Sequence, residues 1–250
     1  MSKHQHTGSV NSLTVIGNGM MAKGFSKYQG LDLPICIFAA GVSNSNCMQS
    51  FEYQRESDLL EQVSAHLLPQ FFLVYFSSMT TAVSEKQQDY IFHKRRMEAQ
   101  VRARTKHLII RLGQVIGPSD NPHTLTNFLH AQILKGHAFN LWHGQSRNLL
   151  DLDDVVDASL AYLKTNPSPS GTVTLANPVN HSVEDLVQAF EALTGNKALA
   201  TRIDIPTIQL NFDEEPAVRR LLPRIEVDYY LERTLKKYYG SAAPPIRNTP

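Results

Sequence analysis

The sequence predicts an α/β protein built on a doubly wound parallel sheet, with a smaller and more irregular C-terminal lobe. Short apolar runs without polar alternation recur along the first half of the chain, as in strands that are buried on both faces of a parallel sheet. A helical pattern follows almost every run, which is the order expected of right-handed β–α–β crossovers. After Pro118 the pattern loosens, and this change predicts the second lobe.

The apolar runs and the patterns between them give the elements in order. The predicted strands are residues 13–16, 35–40, 71–76, 107–112 and 172–176. The predicted helices are residues 20–25, 59–67, 89–104, 124–135, 153–163 and 182–194. A loop is predicted around residues 142–147, and Pro206, Pro216 and Pro223 are expected to interrupt the remainder.

These elements suggest a division of the chain. We expect a disordered tail at residues 1–12 and a cofactor-binding core at 13–117, with 149–163 packed back on that core. Residues 118–148 and 164–250 are expected to form the substrate-binding lobe.

Charge and hydropathy exclude several classes of function. Lys and Arg number 24 against 23 Asp and Glu, so the net charge of +1 gives no reason to expect nucleic acid or an anionic membrane as partner. No apolar run reaches the roughly 20 residues of a membrane helix, and the polar N-terminus lacks the apolar segment of a secretory signal. We therefore expect a cytoplasmic protein with reduced Cys36 and Cys47 and no metal site.

The first motif is Gly17-Asn18-Gly19-Met20-Met21-Ala22, a G-x-G-x-x-A turn between a predicted strand and helix. In a dinucleotide site the first glycine allows the tight turn, the second lets the backbone approach a pyrophosphate, and the small alanine lets helix and strand pack closely. By itself the motif also fits an ordinary glycine-rich turn. The next strand ends in Ala39-Ala40-Gly41 instead of an acidic residue for the adenosine ribose, so a weakened site for NAD or NADP is expected.

The second motif combines Ser78 with Tyr90 and Lys94, a Y-x-x-x-K pattern after a strand that ends in Ser77-Ser78. Residues i and i+4 share a face of a helix, so the phenol and the ammonium should point the same way. A neighbouring ammonium lowers the pKa of a tyrosine and makes it a usable acid/base. The same spacing also occurs as a half-buried tyrosine beside a solvated lysine.

The order of these motifs resembles the extended short-chain dehydrogenase/reductases, specifically the NAD-dependent epimerase/dehydratase family that acts on nucleotide sugars. The resemblance covers roughly residues 13–195 and implies a Rossmann-type fold. Its further segments are Ile35–Ser43, Phe76–Ser78, Tyr90–Lys94 with Glu98, Ile110–Pro118, Ser146–Val155, Gly171–Asn177 and Ser182–Leu186.

The resemblance implies roles for individual residues. Ser78 would polarise the substrate oxygen, Tyr90 would be the acid/base, and Lys94 would tune Tyr90 and bind the nicotinamide ribose. Cofactor contacts are implied for residues 17–22 and 39–41, and substrate contacts for Ser43, Ser78 and Arg147. Arg147 would bind the phosphates through its guanidinium fork, although a surface arginine near a turn is the alternative. Asp153 and Asp154 are expected to cap the helix that begins there.

The chain also departs from the family pattern. Only about 20 residues separate the glycine turn from the strand at 35–40, where the family usually carries a further strand–helix–strand, so part of one half of the sheet should be missing. The stretch between Ser78 and Tyr90 is shorter than in the nucleotide-sugar enzymes that the chain resembles. Met79-Thr80 stands where the dehydratases among them carry an acidic pair.

Two functions stay open. The chain is either an NAD(P)-dependent epimerase or ketoreductase that acts on a nucleotide sugar, or a catalytically weak relative that binds a dinucleotide or sugar nucleotide as a sensor or scaffold. A homodimer is left open in both cases.

Overall fold

The computed structural model describes residues 12–44, 49–83, 89–166, 170–204 and 229–240. The expected tail up to residue 11, Cys47 and the three prolines of the interrupted segment lie outside these residues. The strands are β1 (Thr14–Ile16), β2 (Ile35–Phe38), β3 (Phe72–Ser78), β4 (His107–Leu112), β5 (Gln114–Ile116), β6 (Ala138–His143), β7 (Ser146–Asp151), β8 (Gly171–Leu175), β9 (Asn180–Ser182) and β10 (Leu199–Asp204). The helices are α1 (Met20–Ser26), α2 (Ser50–His66), α3 (Thr80–Val83), α4 (Asp89–Arg102), α5 (Leu125–Lys135), α6 (Leu152–Thr165), α7 (Val183–Thr194) and α8 (Tyr230–Tyr239).

The chain divides into two compact units. The first comprises Met1–Arg111 and Leu163–Val173, and the second comprises Leu112–Tyr162 and Thr174–Pro250. Whether they correspond to a cofactor-binding core and a substrate-binding lobe stays a prediction. Within the described ranges, none of the helices is both long and apolar enough to cross a bilayer.

The first unit is built on a sheet with the strand order β1-β2-β3-β4-β8. β1 pairs parallel with β2, with Val15 opposite Ile37, and β2 pairs parallel with β3, with Ile37 opposite Val74. This arrangement confirms the predicted α/β class and the predicted adjacency of the first two strands. β1 stands at the edge of the sheet in the described part of the chain, which is the position expected when part of one half is missing.

The core of the first unit explains why these segments fold as they do. Every residue of β2 is buried, and α2 and α4 add the buried side chains of Leu60 and Met97 to the same apolar cluster. Burying one such side chain contributes about 1.5–3 kcal/mol. The cluster therefore fixes α2 and α4 against the sheet and sets the positions of the polar side chains that they carry.

The second unit corrects the prediction of a loop around residues 142–147. Residues 142 and 143 end β6 and residues 146 and 147 begin β7, so only Gly144 and Gln145 lie between the two strands. Phe139 of β6 is buried while its neighbours Ala138 and Asn140 are exposed, so this strand alternates and contains no continuous apolar run. β6 pairs parallel with β10, and the remaining strands of this unit form the order β5-β7-β9.

The start of α6 differs from the expected capping by Asp153 and Asp154. Asp151 fills this role, because its Oδ1 accepts a hydrogen bond of 2.8 Å from the backbone N–H of Asp153. The other two carboxylates bind α8 instead. Tyr230 donates to Asp154 at 2.8 Å, and Lys237 donates to Asp151 and Asp153 at 2.8 Å. These bonds tie α8, which was not predicted, to the rest of the second unit.

Candidate active site

The glycine turn follows β1 as the motif predicts. Gly17 has a φ of +122°, and a Cβ at this residue would lie 2.6 Å from the carbonyl oxygen of Ala39. Both the dihedral angle and the close approach require glycine at position 17. Gly19 has open space around it and precedes α1 in an extended conformation without a side-chain capping bond. A side chain would therefore not fit at Gly17 but would fit at Gly19, and Ala22 is buried behind the turn.

Ser78 and Tyr90 come together where β3 ends and α4 begins. Ser78 is the last residue of β3, Tyr90 is the second residue of α4, and their side chains are hydrogen-bonded to each other. The Ser78 hydroxyl also lies 2.8 Å from that of Thr80. Both Ser78 and Tyr90 remain half-buried, so the predicted hydroxyl pair is assembled and keeps some exposure.

Lys94 lies on the same face of α4 as Tyr90, as the spacing predicts. Its Nζ is 5.8 Å from the centroid of the Tyr90 ring. The ammonium donates hydrogen bonds of 3.0 Å to Glu56 Oε1 and 3.0 Å to Tyr75 Oη. With only 3% of the residue exposed, Lys94 is a buried cation whose hydrogen bonds go to neighbouring side chains.

Glu56 of α2 is the central residue that sequence reasoning missed. It is completely buried and, besides Lys94, its carboxylate accepts hydrogen bonds from the Tyr75 hydroxyl at 2.6 Å and the Val42 backbone N–H at 2.7 Å. His93 Nε2 lies 2.9 Å from Oε2. Burial by itself raises the pKa of Glu56, but Lys94 and the three hydrogen-bonding groups outweigh burial and hold that pKa at about 2. The carboxylate is therefore ionised.

One signal could have revealed Glu56. It stands in the polar stretch Gln54–Asp58, which suggests a solvated helix face. Yet Glu56 precedes Leu60 by four residues, and Leu60 is a fully buried core residue. A carboxylate on the apolar face of an amphipathic helix must find partners or remain protonated, so its position predicts a buried ion pair.

The pKa of Tyr90 is raised and not lowered as the motif led us to expect. Burial raises it most, the negative charge of Glu56 raises it further, and the hydrogen bond from Ser78 acts in the opposite direction. The nearby ammonium of Lys94 is paired with Glu56, which explains why it does not stabilise a Tyr90 phenolate. Tyr90 is consequently a neutral phenol at physiological pH.

The segment after β2 passes directly over the Glu56–Lys94 pair. A Cβ placed on Gly41 would lie 2.8 Å from Lys94 Nζ and 3.0 Å from Glu56 Oε1. Ala39 and Ala40 are half-buried, and Ser43 is exposed just beyond the hydrogen bond that Val42 makes to Glu56. Of the residues predicted to contact cofactor and substrate here, Gly41 adjoins Lys94.

Arg147 belongs to the second unit, whereas all the other predicted site residues belong to the first. It lies in β7 opposite His181 of β9, and its Nη1 donates a hydrogen bond of 2.8 Å to the carbonyl oxygen of Ser146. Burial lowers its pKa below the usual arginine value. Its role as a phosphate ligand stays a prediction.

Fold and site define a class: a Rossmann-type α/β protein with a serine, tyrosine and lysine at the carboxyl end of the third strand of its sheet. The family model described as "NAD dependent epimerase/dehydratase family" matches residues 75–176, a range that contains Ser78, Tyr90 and Lys94. This match confirms the resemblance indicated by the order of the motifs.

Solved structures with the same fold include dTDP-glucose 4,6-dehydratase from Bacillus anthracis in complex with NAD, at 15% identity and a TM-score of 0.65, covering 88% of this chain and 78% of the dehydratase. UDP-glucuronic acid 4-epimerase from Bacillus cereus, in complex with UDP-glucuronic acid and NAD, is 18% identical with a TM-score of 0.64, over 82% and 74% of the two chains. RMD from Pseudomonas aeruginosa, complexed with NADPH, is 15% identical with a TM-score of 0.66, over 90% and 97%. A search of curated protein sequences finds no match.

Proposed function

We propose that the protein is an NAD(P)-dependent epimerase or ketoreductase that acts on a nucleotide sugar, with Tyr90 as its acid/base. The observation that carries this proposal is the placement of Ser78 at the end of β3 and of Tyr90 and Lys94 on one face of α4, inside the segment that matches the family. The similar structures support the substrate class, because they include a dTDP-glucose dehydratase and an epimerase with UDP-glucuronic acid bound.

The residues at one end of the proposed cofactor site fit a dinucleotide. Gly17 allows the tight turn, and no atom lies near the position of a side chain at Gly19. The backbone of residues 17–22 could therefore approach the pyrophosphate. The fit at Lys94 is poorer, because its ammonium is engaged by Glu56 and Tyr75. With β1 at the edge of the sheet and no acidic residue after β2, we expect NAD(H) or NADP(H) to bind weakly.

Tyr90 and Ser78 account for the proton part of the reaction. A bound nicotinamide would supply or accept the hydride at a sugar carbon. The neutral phenol of Tyr90 can donate its proton to the oxygen on that carbon, while the Ser78 hydroxyl donates a hydrogen bond to the same oxygen. Proton donation is the step that reduces a keto group, whereas epimerisation begins with removal of a hydroxyl proton. An epimerase also makes this reduction in the second half of its cycle, so Tyr90 would serve as proton donor in both reactions.

The proposal is tested by titrating purified protein with each of NAD(H) and NADP(H) and then adding a keto nucleotide sugar. We expect a saturable calorimetric signal for the reduced cofactor and a loss of its absorbance in proportion to the keto sugar consumed. Absence of both signals at millimolar cofactor would contradict the proposal.

A second candidate is a catalytically weak or inactive relative that binds a dinucleotide or sugar nucleotide as a sensor or scaffold. The buried Glu56–Lys94 pair favours it, since this lysine is the residue that the family resemblance assigns to the nicotinamide ribose. Saturable binding of a dinucleotide or sugar nucleotide without any turnover would support this candidate.

A further inference from the structure

The ion pair between Lys94 and Glu56 is buried on both sides. The two side chains are 3% and 0% exposed, and their charged atoms are 3.0 Å apart. Tyr75 completes the arrangement, because it accepts from Lys94 at 3.0 Å and donates to Glu56 at 2.6 Å. A pair this well satisfied is costly to open, since either charge left alone in the interior loses both water and partner.

The backbone after β2 covers the same pair. Val42 donates its N–H to Glu56 Oε2 at 2.7 Å, and even a single carbon added to Gly41 would lie 2.8 Å from Lys94 Nζ. On this side there is no room for a ribose hydroxyl against the ammonium. A ligand that reached Lys94 would have to move this segment or displace the carboxylate.

We infer that Glu56 closes the Lys94 end of the proposed cofactor site: Lys94 is the counter-ion of Glu56 and not a ribose ligand, and the dinucleotide is held from the Gly17–Ala22 turn. The inference rests on the proposed function for its second half only. The physical reason is a difference in free energy. One hydrogen bond from the ammonium to a ribose hydroxyl stabilises binding by less than it costs to leave the buried Glu56 carboxylate without its partner. Glu56 thereby acts as a positioning residue for Lys94 and for the segment that carries Gly41 and Val42.

A double-mutant cycle tests the inference through Glu56→Gln, Lys94→Met and the double variant. Each single variant leaves one buried partner unpaired, so we expect the unfolding equilibrium constant in urea to rise by about 10²–10³-fold. The double variant should recover most of this loss, because the Gln amide keeps its oxygen as acceptor for the Val42 N–H, its NH2 can donate to the Tyr75 hydroxyl oxygen, and Met fills the space of the lysine stem.

Dinucleotide affinity supplies the second readout. We expect the double variant to bind NAD(H) or NADP(H) within about threefold of the wild type, because no ligand contact is lost. If Lys94 binds the ribose, the double variant should instead lose about tenfold or more in affinity, the usual effect of removing a hydrogen bond to a charged group. Lys135→Met, which removes an exposed lysine from the second unit, is the matched control for the loss of one positive charge.

Two results would overturn the inference: a large loss of affinity in the double variant, or additive stability effects that show no coupling between positions 56 and 94. Failure of the proposed function looks different, because the wild type itself would then bind neither dinucleotide. In that case the coupling in the stability cycle alone decides whether Lys94 is the counter-ion of Glu56.

Discussion

Tyr90 keeps its proton through the neutral pH range because burial and the Glu56 carboxylate both raise the pKa of its phenol. For reduction of a keto sugar, we therefore expect kcat/KM to show no rising limb between about pH 6 and pH 9. The rate should fall only at more alkaline pH, where Tyr90 loses the proton that it donates. The measurement is kcat/KM against pH with the reduced cofactor saturating.

The opposite profile would identify a different chemistry. If Tyr90 acted as a phenolate base with a lowered pKa, kcat/KM would rise with pH across the same range. Glu56→Gln provides a check on the cause, because removing the negative charge should move the alkaline limb to lower pH without abolishing it.

Glu56 should also make the protein sensitive to acid. Its folded-state pKa of about 2 lies below its ordinary value of 4.5, so its contribution to stability is fully present above about pH 4.5 and is lost as the pH falls towards 2. Urea unfolding at stepped pH should show this loss, of the order of a few kcal/mol. Glu56→Gln should be less stable at neutral pH and should lose less stability over this acid interval. An equally steep loss in the variant would show that other carboxylates dominate.

At the scale of elements, the turn between β1 and α1 offers a test of cofactor placement. Gly19 has φ −72° and ψ −175° with nothing within 4 Å of a Cβ, so other residues fit there without strain. Asp and Asn are also good helix N-caps, and both variants should fold at least as stably as the wild type. Gly19→Asp, however, places a carboxylate where the pyrophosphate is expected.

We predict that Gly19→Asp weakens dinucleotide binding at least about tenfold more than the isosteric Gly19→Asn. Calorimetric titration of both variants measures the difference, and their unfolding curves control for the fold. Equal affinities of the two variants would mean that no phosphate lies near Gly19.

The elements that could be predicted are those whose buried residues form a continuous apolar run or recur at helical spacing in the sequence. β4 carries the apolar run Leu108–Ile110 and was predicted with its observed bounds, and α4 was predicted to within its last turn. β6 was missed because it alternates. α8 was missed although Leu231 and Leu235 recur at helical spacing, because the three prolines before it led us to expect no regular element there.

The candidate site divides in the same way. The spacing of Tyr90 and Lys94 and the serine at the end of a strand predicted which hydroxyls meet. What Lys94 binds could not be predicted, because Glu56 reaches it from another helix, 38 residues earlier in the chain. The pKa of Tyr90 is raised first by burial and further by the charge of Glu56, so the expected direction of the shift was mistaken.

At the scale of the whole molecule, the order β1-β2-β3-β4-β8 leaves β1 with a single neighbour in the sheet of the described residues. A dinucleotide usually lies in the crevice where the strand order reverses, with strands on either side of the glycine turn. Here the order runs in one direction from β1. The short separation of residues 17 and 35 made this predictable, and it is the physical basis for expecting weak adenosine binding.

The central claim, that Tyr90 is the acid/base, is tested most directly by comparing nucleotide-sugar turnover in the wild type and Tyr90→Phe. Only the phenol oxygen is removed, so unfolding curves and dinucleotide affinity should hardly change. We predict that the rate falls by about 10²–10⁴-fold, the usual contribution of general acid/base catalysis. A variant that turns over as fast as the wild type would contradict the account and would make the Ser78–Tyr90–Lys94 arrangement a structural feature.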